Sequence, residues 1–325
     1  MSHAPMLCDN VASVSIAITV LESSPTIILD CEGRDLGEKG GALSIIILST
    51  TSTTASTALT FLIDVLRLSP TQLQSIYDLL SSPHITKVVF DGRMDYSALY
   101  HECGVEVHNV LDMQLADIAS RGLRGEQEAK RLERLWKYLG KWEVEKKKDM
   151  YEKVVKINGM KDCLSEHEIF GMTKDESVRH DLWTRRPLPK NYASYAATDA
   201  RMIHALYDLF TQKSFITSDL SAQSMRYVTI CKDHQPTASD AYAHHPLLPL
   251  DILEAQIGAS AASGMRTCDN CRRSLSEQSF VNDFEGGGTS PGGNQGSICW
   301  ESLRNPRKGT RKRWEKSKGR GKRRG

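Results

Sequence analysis

The sequence predicts an α/β fold, a mixed sheet with helices on both faces. Short apolar runs of strand type fill the first third of the chain, and helical segments are interleaved with the later ones. Across 191–210, moreover, Tyr192, Tyr195, Ala196, Ile203, Leu206 and Leu209 follow helical spacing.

Asp9-Asn10 ahead of Val11, Val14, Ala17, Ile18 and Leu21 reads as a capped amphipathic helix that Pro25 stops. Residues 26–32 are an apolar run tipped with acids, as expected of a buried strand whose end reaches a site. Gly40-Gly41 turns the chain into a second strand over 42–48. The Ser/Thr-rich stretch 49–58 is loop or strand edge, and 59–65 supplies a third strand, so this part reads as a meander. Pro70 opens a helix over 71–80. A strand at 87–90 turns at Gly92 into a helix over 95–102 that Gly104 caps. Residues 105–110 read as another strand, leading into Asp112. The charged stretch 125–176 has helical spacing at Leu132, Leu135, Trp136 and Leu139 and predicts a helical insertion spanning 125–186, before Pro187 and Pro189 break the chain. After Ser214 the pattern weakens. From Asp283 onward Gly, Ser and basic residues predict a largely disordered basic C-terminal extension.

With 325 residues, 40% hydrophobic and 25% charged, the chain is neither wholly disordered nor collagen-like. Its longest apolar runs, such as 45–48, are far shorter than the roughly 18 residues a membrane span needs, so no membrane partner is expected. The first 22 residues hold no Lys or Arg, and Ser13, Ser15 and Thr19 interrupt the apolar stretch there. We therefore expect no secretory signal and an intracellular protein of nucleus or cytoplasm. The eight cysteines are expected to be thiols. The formal net charge of +2 conceals a division: residues 304–325 hold 12 Lys/Arg and one acid, leaving 30 bases against 39 acids elsewhere. An acidic body with a basic tail fits a chain that gathers carboxylates for a metal and leaves polyanion attraction to the terminus.

Asp30 and Glu32 are two apart on a strand and so leave one face, which is costly at the end of an apolar run unless a cation compensates them. Tyr195 and Asp199 are four apart on a helix and share a face. Asp95 begins the helix after the strand at 87–90. Four acids on separate elements can converge on a pair of divalent ions, which clamp the attacking and leaving oxygens of a phosphodiester displacement. Around this set, Asp91 is expected to cap the turn at Gly92, and Asp112 to bond backbone groups. Arg34 and Arg93 are either phosphate ligands or counter-charges. His204 is read as packing or surface.

The order Asp30-x-Glu32, Asp95, Tyr195-x-x-x-Asp199 resembles the three motifs of the ribonuclease D-like 3′–5′ exonucleases, in the DEDDy branch of the ribonuclease H-like superfamily. The surrounding text agrees: Leu29-Asp30-Cys31-Glu32-Gly33, Phe90-Asp91-Gly92-Arg93-Met94-Asp95 with Leu99, Asp112-Met113-Gln114-Leu115, and Tyr195-Ala196-Ala197-Thr198-Asp199. The whole chain resembles fungal proteins that carry this domain, and the likeness covers 9–212. It implies a ribonuclease H-like sheet and two Mg²⁺ or Mn²⁺ ions. Asp30, Glu32 and Asp199 would hold the first ion, Asp30 would bridge to the second, and Asp95 would support the second partly through water. Tyr195 would orient the attacking water, and the products would be nucleoside 5′-monophosphates cut from the 3′ end of single-stranded or 3′-ended RNA or DNA. The alternative is a silent exonuclease-like scaffold that grips RNA without cutting, a role for which relatives tend to have lost one acid.

Residues 213–282 are expected to form a loosely structured extension, and 283–325 a disordered Gly-rich and basic tail. Cys268-Asp269-Asn270-Cys271 has the spacing of half a zinc knuckle, and Cys299 follows 28 residues later. Ser302 stands where related chains place another cysteine, so a structural Zn²⁺ would need His234, His244 or His245 as fourth ligand. In the tail, Arg311, Lys312, Arg313 and Trp314 combine cations with an aromatic, suited to neutralising phosphates and stacking on a base, or to a nuclear-import signal.

Overall fold

Six strands form the principal sheet: β1 (Met6–Cys8), β2 (Thr26–Arg34), β3 (Ala42–Thr50), β4 (Thr60–Asp64), β5 (Thr86–Val89) and β6 (Val110–Asp112), in the order β1-β4-β3-β2-β5-β6. The stretch β2-β3-β4 is the expected antiparallel meander, while β5 joins β2, β6 joins β5, and β1 joins β4 in parallel. A separate antiparallel pair, β7 (Met265–Thr267) and β8 (Ser274–Ser276), lies later in the chain. The helices are α1 (Val11–Leu21), α2 (Pro70–Ser81), α3 (Arg93–Cys103), α4 (Met113–Leu123), α5 (Glu128–Leu139), α6 (Lys141–Lys146), α7 (Met160–Glu166), α8 (Lys190–Gln212) and α9 (Leu220–Val228). The computed structural model describes residues 4–51, 58–151, 154–240, 245–249, 252–253, 265–267 and 274–276.

Local chemistry accounts for the helix starts. Asn10 accepts the Ser13 N–H at 3.1 Å and Ser13 Oγ accepts the Asn10 N–H at 3.3 Å, so α1 begins on a reciprocal cap; Ser69 and Gln72 do the same for α2, whose first residue is Pro70. Gly104 closes α3 at φ +70°, a conformation that glycine adopts without strain.

Strand alternation sorts the sheet into two faces. Leu29 and Cys31 of β2, Ile46 and Leu48 of β3, and Phe61 and Ile63 of β4 enter one core with Val14, Ala17 and Leu21 of α1, Leu73, Ile76 and Leu80 of α2, and Leu99 of α3. The opposite face is crossed by the 23-residue α8, which touches β2, β3, β4 and β5. Helices thus cover both faces of a mixed sheet, as the sequence predicts.

The chain forms two compact units, one built mainly from Met1–Glu126 and Ile157–Pro246 and the other around Gln127–Lys156. The second holds α5 and α6, with Leu132, Leu135, Val144, Tyr151, Val154 and Leu247 in its own small core. Residues Ile157–Pro246 belong to the first unit, so the second half of the stretch expected as a helical insertion over 125–186 is part of it. Among the described residues no helix is long and apolar enough to cross a membrane.

The strand expected at 105–110 is shorter and later than predicted. Val105 and Val107 are buried in the core, but the Val105 N–H bonds back to the Leu99 carbonyl and Asn109 sits at φ +52°, so the ladder with β5 starts only at Val110. The sequence does not announce β1, α4, α9 or the β7–β8 pair. Helix α9 buries Leu220, Ser224, Tyr227 and Val228 beside β6 and α3.

Candidate active site

Because Leu29 and Cys31 face the core, Asp30 and Glu32 point to the other side of β2, where they lie opposite Ile47 and Ile45 of β3. Buried Tyr195 and Asp199, one turn apart on α8, meet that face. One ligand-type oxygen from each of Asp30, Glu32 and Asp199 lies within 4.8 Å of the others. Asp95 joins them electrostatically from the first turn of α3, where the helix dipole favours a carboxylate. The loop between β2 and β3 is pinned to the start of α3: Ser97 Oγ donates to the Gly37 carbonyl at 2.7 Å. Gly37 sits at φ +72°, and a β-carbon there would lie 2.5 Å from the Met94 carbonyl oxygen, so only glycine permits this approach.

The acids strain one another. Burial, then the charges of Asp95 and Asp199, pushes the Asp30 carboxyl well above the usual range, against the pull of Lys174. Burial and the charges of Asp30 and Asp199 do the same to Glu32. Asp95 is pushed up to about 7 by burial, partly relieved by backbone N–H groups of Cys31 and Asp95 itself. Asp199 is raised by burial against the opposing charges of Lys174 and His180. Among the described residues, Asp30 Oδ2, Asp95 Oδ1 and Asp199 Oδ1 are all sealed from solvent without a hydrogen-bond partner. Buried carboxylate oxygens left unpaired are costly, and divalent cations are the partners that a convergent all-oxygen set accommodates. The residues present therefore fit a metal centre.

Three neighbours had no signal in the sequence. Lys174 donates to Asp199 Oδ2 at 2.7 Å and lies 5.2 Å from the centre of the Tyr195 ring. His180 Nδ1 is 3.9 Å from Glu32 Oε2, with its ring edge-on to Tyr195. Trp183, fully buried, packs edge-on against both Tyr192 and Tyr195. All three come from the connection between α7 and α8, where the helix expected up to 186 is not formed apart from a short 3₁₀ turn at His180–Leu182, and tertiary folding brings the side chains in. Tyr195 itself is pushed up to about 12 by burial and then by Asp199, so its hydroxyl keeps its proton at neutral pH.

Asp112 bonds backbone groups, as expected: its carboxylate accepts N–H bonds from Asp91 at 3.1 Å, Gly92 at 3.0 Å and Gln114 at 2.8 Å. That corrects the expectation for Asp91, because the cap at Gly92 comes from Asp112. Asp91, at φ +56°, instead holds buried Arg93 with bonds of 2.6 and 2.8 Å. Arg93 also lies over the Tyr227 ring, 4.8 Å from its centre, and is a structural counter-charge. Exposed Arg34 donates to the Gly40 carbonyl at 3.4 Å. His204 is buried on α8, 3.4 Å from Asp208.

A second group, Asp117, Cys163 and His167, also brings ligand-type atoms within 4.8 Å of one another. There Arg121 Nη2 at 2.5 Å, Asn158 Nδ2 at 3.1 Å and His167 Nε2 at 2.9 Å already surround the Asp117 carboxylate, and burial holds Cys163 as a thiol. That cluster is a polar network that braces α4 and α7. Cys268, Cys271 and Cys299, and Arg311, Lys312, Arg313 and Trp314, lie outside the described residues; β7 and β8 bracket the Cys268–Cys271 pair in sequence.

Residues 8–214 match the family described as 3′-5′ exonuclease. No curated protein sequence matches the chain. Among solved structures, ribonuclease D of Trypanosoma brucei superposes with a TM-score of 0.53 at 22% identity, covering 73% of this chain and 76% of that one. The same enzyme in complex with RNA U12 gives 0.54 at 23% identity, covering 74% and 75%. At that identity the likeness shows the fold, and the family match spans well over half of the sequence. The chain therefore belongs to the 3′-5′ exonuclease family.

Proposed function

We propose that the protein is a metal-dependent 3′–5′ exonuclease that hydrolyses the terminal phosphodiester of a nucleic acid and releases nucleoside 5′-monophosphates. The observation that carries this reading is the meeting of Asp30, Glu32 and Asp199 within 4.8 Å, with sealed and unpartnered oxygens on Asp30, Asp95 and Asp199. Hard carboxylate ligands favour Mg²⁺ or Mn²⁺. Asp30, Glu32 and Asp199 would hold one ion, and Asp95 would help to hold a second. Bound there, such ions acidify a water and offset the charge that develops on attacking and leaving oxygens.

The chain's own residues do the rest. Tyr195 keeps its phenolic proton and so orients the attacking water rather than removing its proton. Trp183, itself packed edge-on against Tyr192, holds the Tyr195 ring from the side. The substrate class is single-stranded or 3′-ended nucleic acid, a reading in keeping with the RNA in the Trypanosoma brucei ribonuclease D complex. The cations and Trp314 of the tail add phosphate neutralisation and stacking.

The test is incubation with 5′-labelled single-stranded RNA and DNA, with Mg²⁺, Mn²⁺ or chelator. A metal-dependent ladder that shortens from the 3′ end supports the reading. Binding without shortening on either polymer would replace it with the scaffold reading.

A further inference from the structure

The carboxylate cluster already contains one cation of the chain's own. Lys174 Nζ sits 2.7 Å from Asp199 Oδ2, and its charge reaches Asp30, Glu32 and the Tyr195 ring. Its position on the chain is unlike that of the acids. Asp30, Glu32 and Asp199 are fixed on a central strand and a long helix, whereas Lys174 belongs to residues 167–179, which adopt neither helix nor strand. Its side chain is 37% exposed, against 7% for that of Asp199. The acids sit on backbone held by the sheet and the long helix, and the ammonium can swing into solvent on a four-carbon stem.

A single ammonium is too little compensation for this site. Oxygens on Asp30, Asp95 and Asp199 stay sealed and unpartnered with Lys174 in place. A divalent ion drawn to those oxygens meets the Lys174 charge at Asp199, and two cations sharing one carboxylate repel each other. One of them must yield, and the exposed group on the irregular segment is the one that can.

We propose that Lys174 is the resident counter-ion of the site and that metal loading is a displacement, in which the ion takes Asp199 and Lys174 withdraws. The proposal rests on the reading of this cluster as a metal centre. Lys174 then stabilises the metal-free protein and lowers its affinity for the ion, so the threshold concentration at which the enzyme loads is set by a residue outside the carboxylate set.

The test follows Mn²⁺ binding to the full chain by loss of the free-ion electron paramagnetic resonance signal, together with thermal melting in chelator and in saturating Mn²⁺. Lys174→Met keeps the stem and removes the charge. It is expected to bind Mn²⁺ roughly tenfold more tightly, the equivalent of about 1.4 kcal/mol. It should also melt below wild type in chelator and level with it in saturating Mn²⁺. Lys174→Arg keeps the charge and should retain wild-type affinity, which separates charge from packing. Asp30→Asn should bind Mn²⁺ weakly. If Asp30→Asn binds weakly while Lys174→Met binds no more tightly than wild type, displacement is wrong and the metal centre stands. If Asp30→Asn binds like wild type, the metal centre itself is wrong and the proposal goes with it.

Discussion

Asp112 Oδ2 accepts the Gly92 N–H at 3.0 Å, which ties the end of β6 to the start of the helix that carries Asp95. The same carboxylate takes the N–H groups of Asp91 and Gln114, and Ser224 Oγ of α9 accepts the Asp112 N–H at 2.8 Å. Replacing Asp112 with Ala leaves these backbone donors buried and unpaired. The expected loss is about 2–3 kcal/mol in urea denaturation. An unchanged midpoint would show that the turn at Gly92 holds itself.

Arg186 supports the site from the other side. Its Nε and Nη2 grip Asp64 at 2.6 and 2.7 Å, and Nη2 also donates to Ser44 Oγ at 2.9 Å, anchoring the stretch that delivers His180 and Trp183. Asp64 is buried, so Arg186→Met strands a charge in the core. We expect a cost of about 3–5 kcal/mol, with part of it recovered in the double variant Arg186→Met/Asp64→Asn. A double variant no better than the single would contradict this.

The carboxyl of Asp95, pushed up to about 7, gives a signed pH dependence. Folded Asp95 binds its proton more tightly than the unfolded chain does. Its stabilising contribution is therefore full below the ordinary carboxylate range and is lost as pH rises through about 7. In chelator, Asp95→Asn should be more stable than wild type at pH 8, by on the order of 1–3 kcal/mol, and no more stable at pH 5. Equal differences at both pH values would place the strain elsewhere.

Raised carboxyls also mean that an entering ion displaces protons. Mn²⁺ affinity of the wild type should climb between pH 6 and 8, by up to about tenfold per unit for each proton released. Isothermal titration in two buffers of different ionisation heat reads that number directly, and a flat profile would contradict proton displacement.

Tyr195→Phe removes the hydroxyl but leaves the ring on Trp183. If Tyr195 orients water, kcat falls about 10–100-fold while Mn²⁺ affinity holds. A parallel fall in affinity would make the hydroxyl a structural support for the acids.

Much of this site was legible before folding because it follows the two simplest periodicities. Asp30 and Glu32 share a face by the two-residue repeat of a strand, and Tyr195 and Asp199 by the turn of a helix. Where the sequence misled, the cause was backbone geometry hidden from side-chain pattern. Val105 and Val107 alternate like a strand because both are buried, yet Asn109 at φ +52° delays the ladder to Val110. Helix α9 is only 9 residues long and turns the polar Ser224 and Tyr227 inward, where their hydroxyls serve Asp112 and Gln114, so its buried face does not look apolar. Lys174 lies in irregular chain and His180 at the start of a short 3₁₀ turn, both inside the stretch whose charge pattern reads as helical, and only the tertiary fold sets them beside the acids.

The most direct measurement compares wild type with Asp30→Asn on a 5′-labelled single-stranded oligonucleotide in Mg²⁺ or Mn²⁺, with circular dichroism to verify the fold. Wild type should release nucleoside 5′-monophosphates from the 3′ end, and the folded variant should be slower by about a thousandfold or more, on the order of 4 kcal/mol of barrier. A folded Asp30→Asn protein that shortens the strand at the wild-type rate would contradict the account of this centre.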